Sequence, residues 1–244
     1  MQNITALTEL AKEAALEAGK AILAVYASGD FGIEMKSDQS PLTLADKAAQ
    51  LIISSHLEKT GLPVLSEEGS NIIYEERKNW DYFWLVDPLD GTKEFVKRTG
   101  EFTVNIALMR SGAPVAGVVY APSIDVLYYG SRENGVYKID RGKKSQLSFV
   151  TEKRTIEQLL QKEHVTIVAS KSHMNDETKN FIGQFRNPEL SSMGSSLKLM
   201  LLAEGSADIY PRLGPTMEWD TAAADALLRS LNFGVYQTDL QTEL

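Results

Sequence analysis

The sequence predicts an α+β chain: an N-terminal half built on an antiparallel sheet, followed by a C-terminal α/β half. Three patterns predict it. Residues 4–26 place Ile4, Leu7, Leu10, Ala14, Ala18, Ile22 and Val25 at three- and four-residue steps, as an amphipathic helix requires. Phe102, Val104, Ile106 and Leu108 alternate with Thr103, Asn105 and Ala107, the period of a strand. Towards the C-terminus, short apolar runs alternate with helical stretches, as in α/β architecture.

Taken in order, the first helix is followed by Ser40-Pro41, which breaks its pattern. A second helix is expected from near Thr43, through Asp46, Ala49, Ile52 and Ile53, to just before Gly61-Leu62-Pro63. Pro63-Val64-Leu65 reads as a short strand, and Trp84-Leu85-Val86 as a buried one. After the strand at Phe102–Leu108, residues 114–120 and 126–130 read as further strands, and Asn134-Gly135 as a tight turn before Val136-Tyr137-Lys138-Ile139. Their closeness along the chain favours antiparallel pairing. Residues 143–162 are polar and helix-tolerant. Val165-Thr166-Ile167-Val168-Ala169 then reads as a buried strand, with helices expected at about 175–185, 195–204 and 217–230 and a short strand at Asp208-Ile209-Tyr210. This change of character sets a boundary between residues 1–155 and residues 156–244.

Composition narrows the chemistry. With 244 residues the chain suits one large domain or two smaller ones sharing a core. No apolar run approaches the ~18–20 residues that span a bilayer. The opening Met1-Gln2-Asn3-Ile4-Thr5 lacks the basic-then-apolar pattern of a signal peptide, so a cytoplasmic protein without an integral membrane segment is expected. The absence of cysteine excludes disulfides, thiolate metal sites and a cysteine nucleophile. The three histidines, His56, His164 and His173, are too scattered for a zinc site. Metal chemistry must rest on oxygen ligands, which favours Mg²⁺, Mn²⁺ or Ca²⁺. A net charge of −8 argues against a nucleic-acid polymer as partner. A small anionic substrate stays open, because cations and a few placed Lys or Arg residues reverse the local potential.

The most informative stretch is Trp84-Leu85-Val86-Asp87-Pro88-Leu89-Asp90-Gly91-Thr92. An apolar strand runs straight into two carboxylates, then a glycine and a threonine. Such a junction can hold hard cations and leave backbone N–H groups for a phosphate. Three further acidic places stand out: Glu67-Glu68 after the strand at Val64, Asp46 in the first turn of the second helix, and Asp220 at the start of the last. Each has an ordinary reading too: a solvated turn for Glu67-Glu68, a residue favoured by the helix dipole for Asp46, an N-cap for Asp220, a plain turn for Asp87–Thr92. Together they supply what a two-metal hydrolase needs. Asp87 can bridge two cations, Glu67 complete one, and Asp90 with Asp220 the other, with the Leu89 carbonyl as a neutral ligand.

These elements resemble the inositol monophosphatase superfamily of Mg²⁺-dependent, lithium-sensitive phosphatases. Val86-Asp87-Pro88-Leu89-Asp90-Gly91-Thr92 is similar to its main signature, Leu65-Ser66-Glu67-Glu68 to its Glu-Glu element, and Trp219-Asp220-Thr221-Ala222-Ala223 to its C-terminal signature. Further segments resemble the bacterial 3′(2′),5′-bisphosphate nucleotidase branch: Lys93-Glu94-Phe95, Gly100–Leu108, Gly117–Pro122, Ser191–Lys198 and Tyr210–Thr216. The resemblance runs from the first helix to about residue 226. It implies a layered αβαβα sandwich of the sugar-phosphatase type, with most metal ligands in the first half and nucleotide-binding elements and Asp220 in the second. Such proteins continue into a strand and an Asn-Pro-containing tail; this chain ends at Glu243-Leu244 without one, so a C-terminally shortened member is expected.

The implied reaction is hydrolysis of 3′-phosphoadenosine 5′-phosphate to AMP and phosphate, with the sulfated precursor as a second candidate, in the setting of sulfur assimilation. Two or three Mg²⁺ ions, replaceable by Mn²⁺, would be held by Glu67, Asp87, Leu89, Asp90 and Asp220. A metal-activated water would attack in line, oriented by Thr92 paired with Asp46, with Glu67 supporting it. The family forms no phosphoenzyme, so no serine nucleophile is assigned. Gly91 and Thr92 would meet the phosphate, Gly194 and Ser195 the ribose or phosphate oxygens, Lys198 and Arg212 the 5′-phosphate, and His173 the base. Gly194-Ser195-Ser196 can equally cap a helix. Alternatives are an inositol monophosphatase or fructose-1,6-bisphosphatase, a non-catalytic metal or nucleotide sensor, and a regulatory subunit. The branch is compatible with peripheral inner-membrane association and with a monomer or homodimer.

Overall fold

A computed structural model of the protein describes residues 2–36, 40–70, 72–152, 154–169 and 174–237. Helix α1 (Ile4–Ser28) is capped by Asn3, whose side chain accepts from the Ala6 N–H, and ends at Gly29 in the left-handed conformation. A short hairpin of β1 (Glu34–Met35) and β2 (Pro41–Leu42) leads into α2 (Leu44–Leu57). A capping box starts α2: the Thr43 hydroxyl accepts from the Asp46 N–H, and the Asp46 carboxylate accepts from the Thr43 N–H.

The chain then builds one large sheet. Its strands are β3 (Val64–Ser66), β4 (Tyr82–Asp90), β5 (Thr103–Arg110), β6 (Ala113–Ala121), β7 (Val126–Ser131), β8 (Gly135–Asp140) and β9 (Lys143–Gln146), in that spatial order. All neighbours pair antiparallel except β3, which runs parallel to β4. Two short helices are inserted, α3 (Tyr74–Arg77) before β4 and α4 (Thr92–Val96) after it. Beyond the sheet follow α5 (Ile156–Gln161), β10 (Val165–Val168), α6 (Asp176–Ile182), β11 (Pro188–Ser191), α7 (Leu197–Ala203) and α8 (Glu218–Ser230). Strands β10 and β11 pair in parallel.

Apolar burial sorts these elements into layers. One face of the large sheet packs Trp84, Val86, Ile106 and Val118 against α1 and α2. The other packs Leu85, Ala107 and Val119 against α7 and α8. A third cluster joins β10 to α5 and α6 through Leu159, Ile167 and Ile182. The result is an αβαβα arrangement, with a mixed sheet as the larger β layer. The cores do not divide at residue 155, since α7 and α8 serve the large sheet. Gly117 of β6 makes this possible: a Cβ there would stand 2.1 Å from the Ala223 carbonyl oxygen, so the α8 backbone rests directly on the strand.

Three local expectations change. The polar stretch after residue 142 begins with strand β9, whose four residues are all exposed. A charged edge strand carries no apolar alternation to reveal it. Strand β11, exposed at Glu189 and Leu190, was hidden for the same reason. The short strand expected at Asp208–Tyr210 is reduced to one parallel bridge between Ile209 and Ile167.

Candidate active site

Strand β4 carries the centre. It stays regular from Tyr82 to Asp87, then its register with β5 shifts between Asp87 and Asp90, releasing the chain from strict pairing. The Asp87 carboxylate accepts from the Leu89 N–H at 3.0 Å and holds the turn. Gly91, at φ 89°, allows the sharp entry into α4. A side chain there would press on the Glu101 carbonyl at 3.0 Å.

Glu67, Asp87 and Asp220 converge here: each offers a carboxylate oxygen within 4.8 Å of the others. Glu67 follows β3, docked by its N–H on the Val86 carbonyl at 3.1 Å. Asp220 sits in the first turn of α8, accepting from the Met217 N–H at 3.1 Å and the Thr216 hydroxyl at 2.8 Å, so it caps its helix as well as facing the cluster. Asp87 is 1% exposed. Burial first, then the Asp90, Glu67 and Asp220 carboxylates, push its carboxyl well above the usual range. Burial also raises Glu67, against the opposing pull of Lys36. An all-oxygen donor set of mutually repelling carboxylates, one of them deeply buried, fits hard divalent cations.

Asp90 lies outside that trio and is turned towards hydroxyls. Its Oδ2 accepts from Ser195 at 2.6 Å and from Ser196 at 3.2 Å. Burial raises its carboxyl, and the Ser195 bond opposes the shift. The Ser195 hydroxyl is thus engaged with Asp90 and, at 2.5 Å, with Thr103. Ser196 does not cap α7 with its side chain. Its hydroxyl donates to the Asp220 carbonyl at 2.7 Å and accepts from the Asn105 amide at 2.9 Å.

Behind the cluster, Thr92 Oγ1 lies 3.3 Å from Asp46 Oδ1 and 3.2 Å from the Leu89 carbonyl. Asp46 Oδ2 is anchored by the Thr43 N–H at 2.7 Å and the Thr43 hydroxyl at 2.5 Å. Burial raises the Asp46 carboxyl, and the Thr43 bonds counter it.

Asp90 and Asp220 border a cleft of about 2050 Å³ that reaches the C-terminal elements and includes Gly194, Lys198, Tyr210 and Arg212. Lys198 Nζ donates to the Met193 carbonyl at 3.2 Å, and Arg212 to the Pro215 carbonyl at 3.0 Å. Burial pushes the Lys198 ammonium below its usual range, Asp90 and Glu94 oppose that, and Arg212 adds to it. Two cations, Lys198 and Arg212, therefore line the same cleft as Asp90 and Asp220. His173 lies outside the described residues.

Sequence reasoning missed Lys36, which reaches from the β1–β2 hairpin to Glu67 at 2.7 Å and also to Glu68. It also missed Thr43, Thr103 and Asn105. Thr43 was findable, since Thr-x-x-Asp before a helix is a capping signal. Lys36 carried no local signal.

Comparison with known proteins places this geometry. The profile of the inositol monophosphatase family matches residues 3–241. The 3′(2′),5′-bisphosphate nucleotidase CysQ of Salmonella typhimurium is 45% identical over 216 residues, 87% of this chain and 83% of that protein. The crystal structure of CysQ from Bacteroides thetaiotaomicron superposes with a TM-score of 0.77 at 44% identity, covering 93% of this chain and 86% of that one. The extragenic suppressor protein suhB of Bartonella henselae superposes at 0.74 with 26% identity, covering 95% and 87%.

Proposed function

The chain belongs to the inositol monophosphatase family, and from that premise we propose that it is a Mg²⁺-dependent 3′(2′),5′-bisphosphate nucleotidase. It converts 3′-phosphoadenosine 5′-phosphate to AMP and phosphate. The observation that carries the chemistry is the convergence of Glu67, Asp87 and Asp220. These three, with Asp90 and the Leu89 carbonyl, would hold two or three Mg²⁺ ions, with Mn²⁺ able to replace them. Such ions supply charge neutralisation at the phosphoryl group and lower the pKa of a water.

The chain's own residues do the rest. Thr92 Oγ1 accepts a hydrogen bond from the attacking water while its own proton points at Asp46 Oδ1, 3.3 Å away. Asp46, anchored by Thr43, takes up that proton as the water is deprotonated. The N–H groups of Gly91 and Thr92 orient the phosphoryl oxygens as they turn into α4. Lys198 and Arg212, which line the same cleft, hold the second phosphate, Arg212 through its planar fork. Gly194 beside them packs directly on Glu101: a Cβ there would meet the Glu101 carbonyl oxygen at 2.6 Å. A nucleotide substrate goes with work in the cytoplasm; no helix among the described residues is long and apolar enough to cross a membrane.

Phosphate release from 3′-phosphoadenosine 5′-phosphate, inositol 1-phosphate and fructose 1,6-bisphosphate, with Mg²⁺ and then with Li⁺ added, tests the reading. Preferred turnover of the nucleotide supports it. Preference for either sugar phosphate overturns the substrate, and no turnover of any overturns the activity.

A further inference from the structure

We propose that Asn105 is a positioning residue for the metal centre, fixing through Ser196 the relation between Asp90 and Asp220. The inference rests on the reading that these two carboxylates hold cations.

Asn105 sits in the middle of β5 with no solvent exposure, opposite Asp87 in the strand pairing. Its amide oxygen accepts from the Thr103 hydroxyl at 3.0 Å, and its amide nitrogen donates to Ser196 Oγ at 2.9 Å. Thr103 in turn meets Ser195 at 2.5 Å. One buried amide is thus bonded directly to Ser196, one of the two serines against Asp90, while the Thr103 it holds lies against the other.

Hydrogen-bond accounting gives the arrangement a direction. A serine hydroxyl has one proton to donate. Because Ser196 Oγ accepts from the Asn105 amide, its one proton must point the other way, shared between the Asp220 carbonyl at 2.7 Å, which takes the larger part, and Asp90 Oδ2 at 3.2 Å. Asp90 Oδ2, already taken by two hydroxyls, leaves Oδ1 as the oxygen presented to an ion. The same hydroxyl holds the first turn of α8 by its backbone. Ser196 therefore links the end of β4 to the start of α8, and Asn105 determines which way it links them. Without the amide the hydroxyl can rotate, Oδ2 loses a donor, and Asp90 can swing. Partners that orient ligating carboxylates typically change metal affinity or activity by about 10–100-fold when removed.

The test compares Asn105→Ala, Ser196→Ala and the double variant with the wild type. Two quantities are measured: Mn²⁺ binding by calorimetry without substrate, and the Mg²⁺ concentration giving half-maximal phosphate release. Each single variant is expected to weaken Mn²⁺ binding and raise the Mg²⁺ requirement by roughly tenfold. The double variant should be no worse than either, because both break one chain of bonds. Asn105→Asp, which can keep an acceptor for Thr103 but loses the amide donor, should behave like Asn105→Ala. If Asn105→Ala does not fold, Ser196→Ala decides alone. Variants that melt earlier yet keep wild-type Mn²⁺ affinity and Mg²⁺ requirement would show a merely structural role and overturn the proposal. So would additive losses in the double variant. A wild type that neither binds Mn²⁺ nor releases phosphate would defeat the proposed activity itself, and this inference with it.

Discussion

Thr92 Oγ1 stands 3.3 Å from Asp46 Oδ1, a bond that ties the first residue of α4 to the first turn of α2 across 46 positions of chain. Removing either partner leaves the carboxylate cluster intact. Thr92→Ala and Asp46→Asn are therefore expected to lower kcat by about 10²–10⁴ while leaving KM nearly unchanged. Steady-state phosphate release checks this. A double variant should lose little more, since the two groups act as one.

Asp87 is held at an energetic cost when no cation is bound, because burial and three carboxylates oppose its charge. Asp87→Asn keeps an acceptor for the Leu89 N–H and removes the charge. In EDTA the variant should melt higher than wild type, by roughly 2–4 °C per kcal/mol relieved. Added Mg²⁺ should raise the wild-type Tm and leave the variant unmoved, and activity should be abolished. Thermal melts with and without Mg²⁺ measure all of this.

Lys198 and Arg212 are expected to act on the second phosphate alone. Charge-assisted bonds of this kind contribute about 1.5–3 kcal/mol, so Lys198→Ala or Arg212→Ala should raise KM for the bisphosphate by roughly 10–100-fold. Turnover of a monophosphate lacking the 5′-group should change little. Parallel KM determinations on the two substrates test it.

Asp208 links Lys162, at 2.7 Å, with the Thr166 N–H, at 2.9 Å. Burial works against its charge, but these bonds and Arg154 win and hold its carboxyl below the usual range. Its folded pKa is thus lower than its unfolded one. The stabilisation is complete above the unfolded pKa of about 3.9 and is lost as the pH falls through the folded value. Asp208→Asn should lower the Tm at pH 7, and the gap to wild type should close below about pH 4. A pH series of thermal melts reads it directly.

Much of this was legible in the sequence, for physical reasons. Strand β4 announced itself because an apolar run ending in two carboxylates is an unusual way to make a plain turn. Helices α1, α2 and α8 each bury a continuous apolar face. Strand β5 misleads in part. The alternation of Phe102, just before it, Val104 and Ile106 with Thr103 and Asn105 resembles a strand with one wet face, yet Thr103 and Asn105 are as buried as their neighbours. The second face is polar because it backs onto the carboxylate cluster, and the role of Asn105 stayed hidden behind an ordinary pattern. Lys36 was invisible for another reason: a hairpin of two-residue strands carries too little periodicity to foretell where its side chains reach.

Asp220 reaches the cluster only because α8 lies flat against Gly117 of β6. Glu67 and Asp87 emerge from the ribosome long before it. A nascent chain that has made every strand of its large sheet still lacks the third carboxylate, and with it the helix that covers one face of that sheet. A lesion that lifts α8 from the sheet is therefore expected to cost the centre its third carboxylate and the sheet part of its core together.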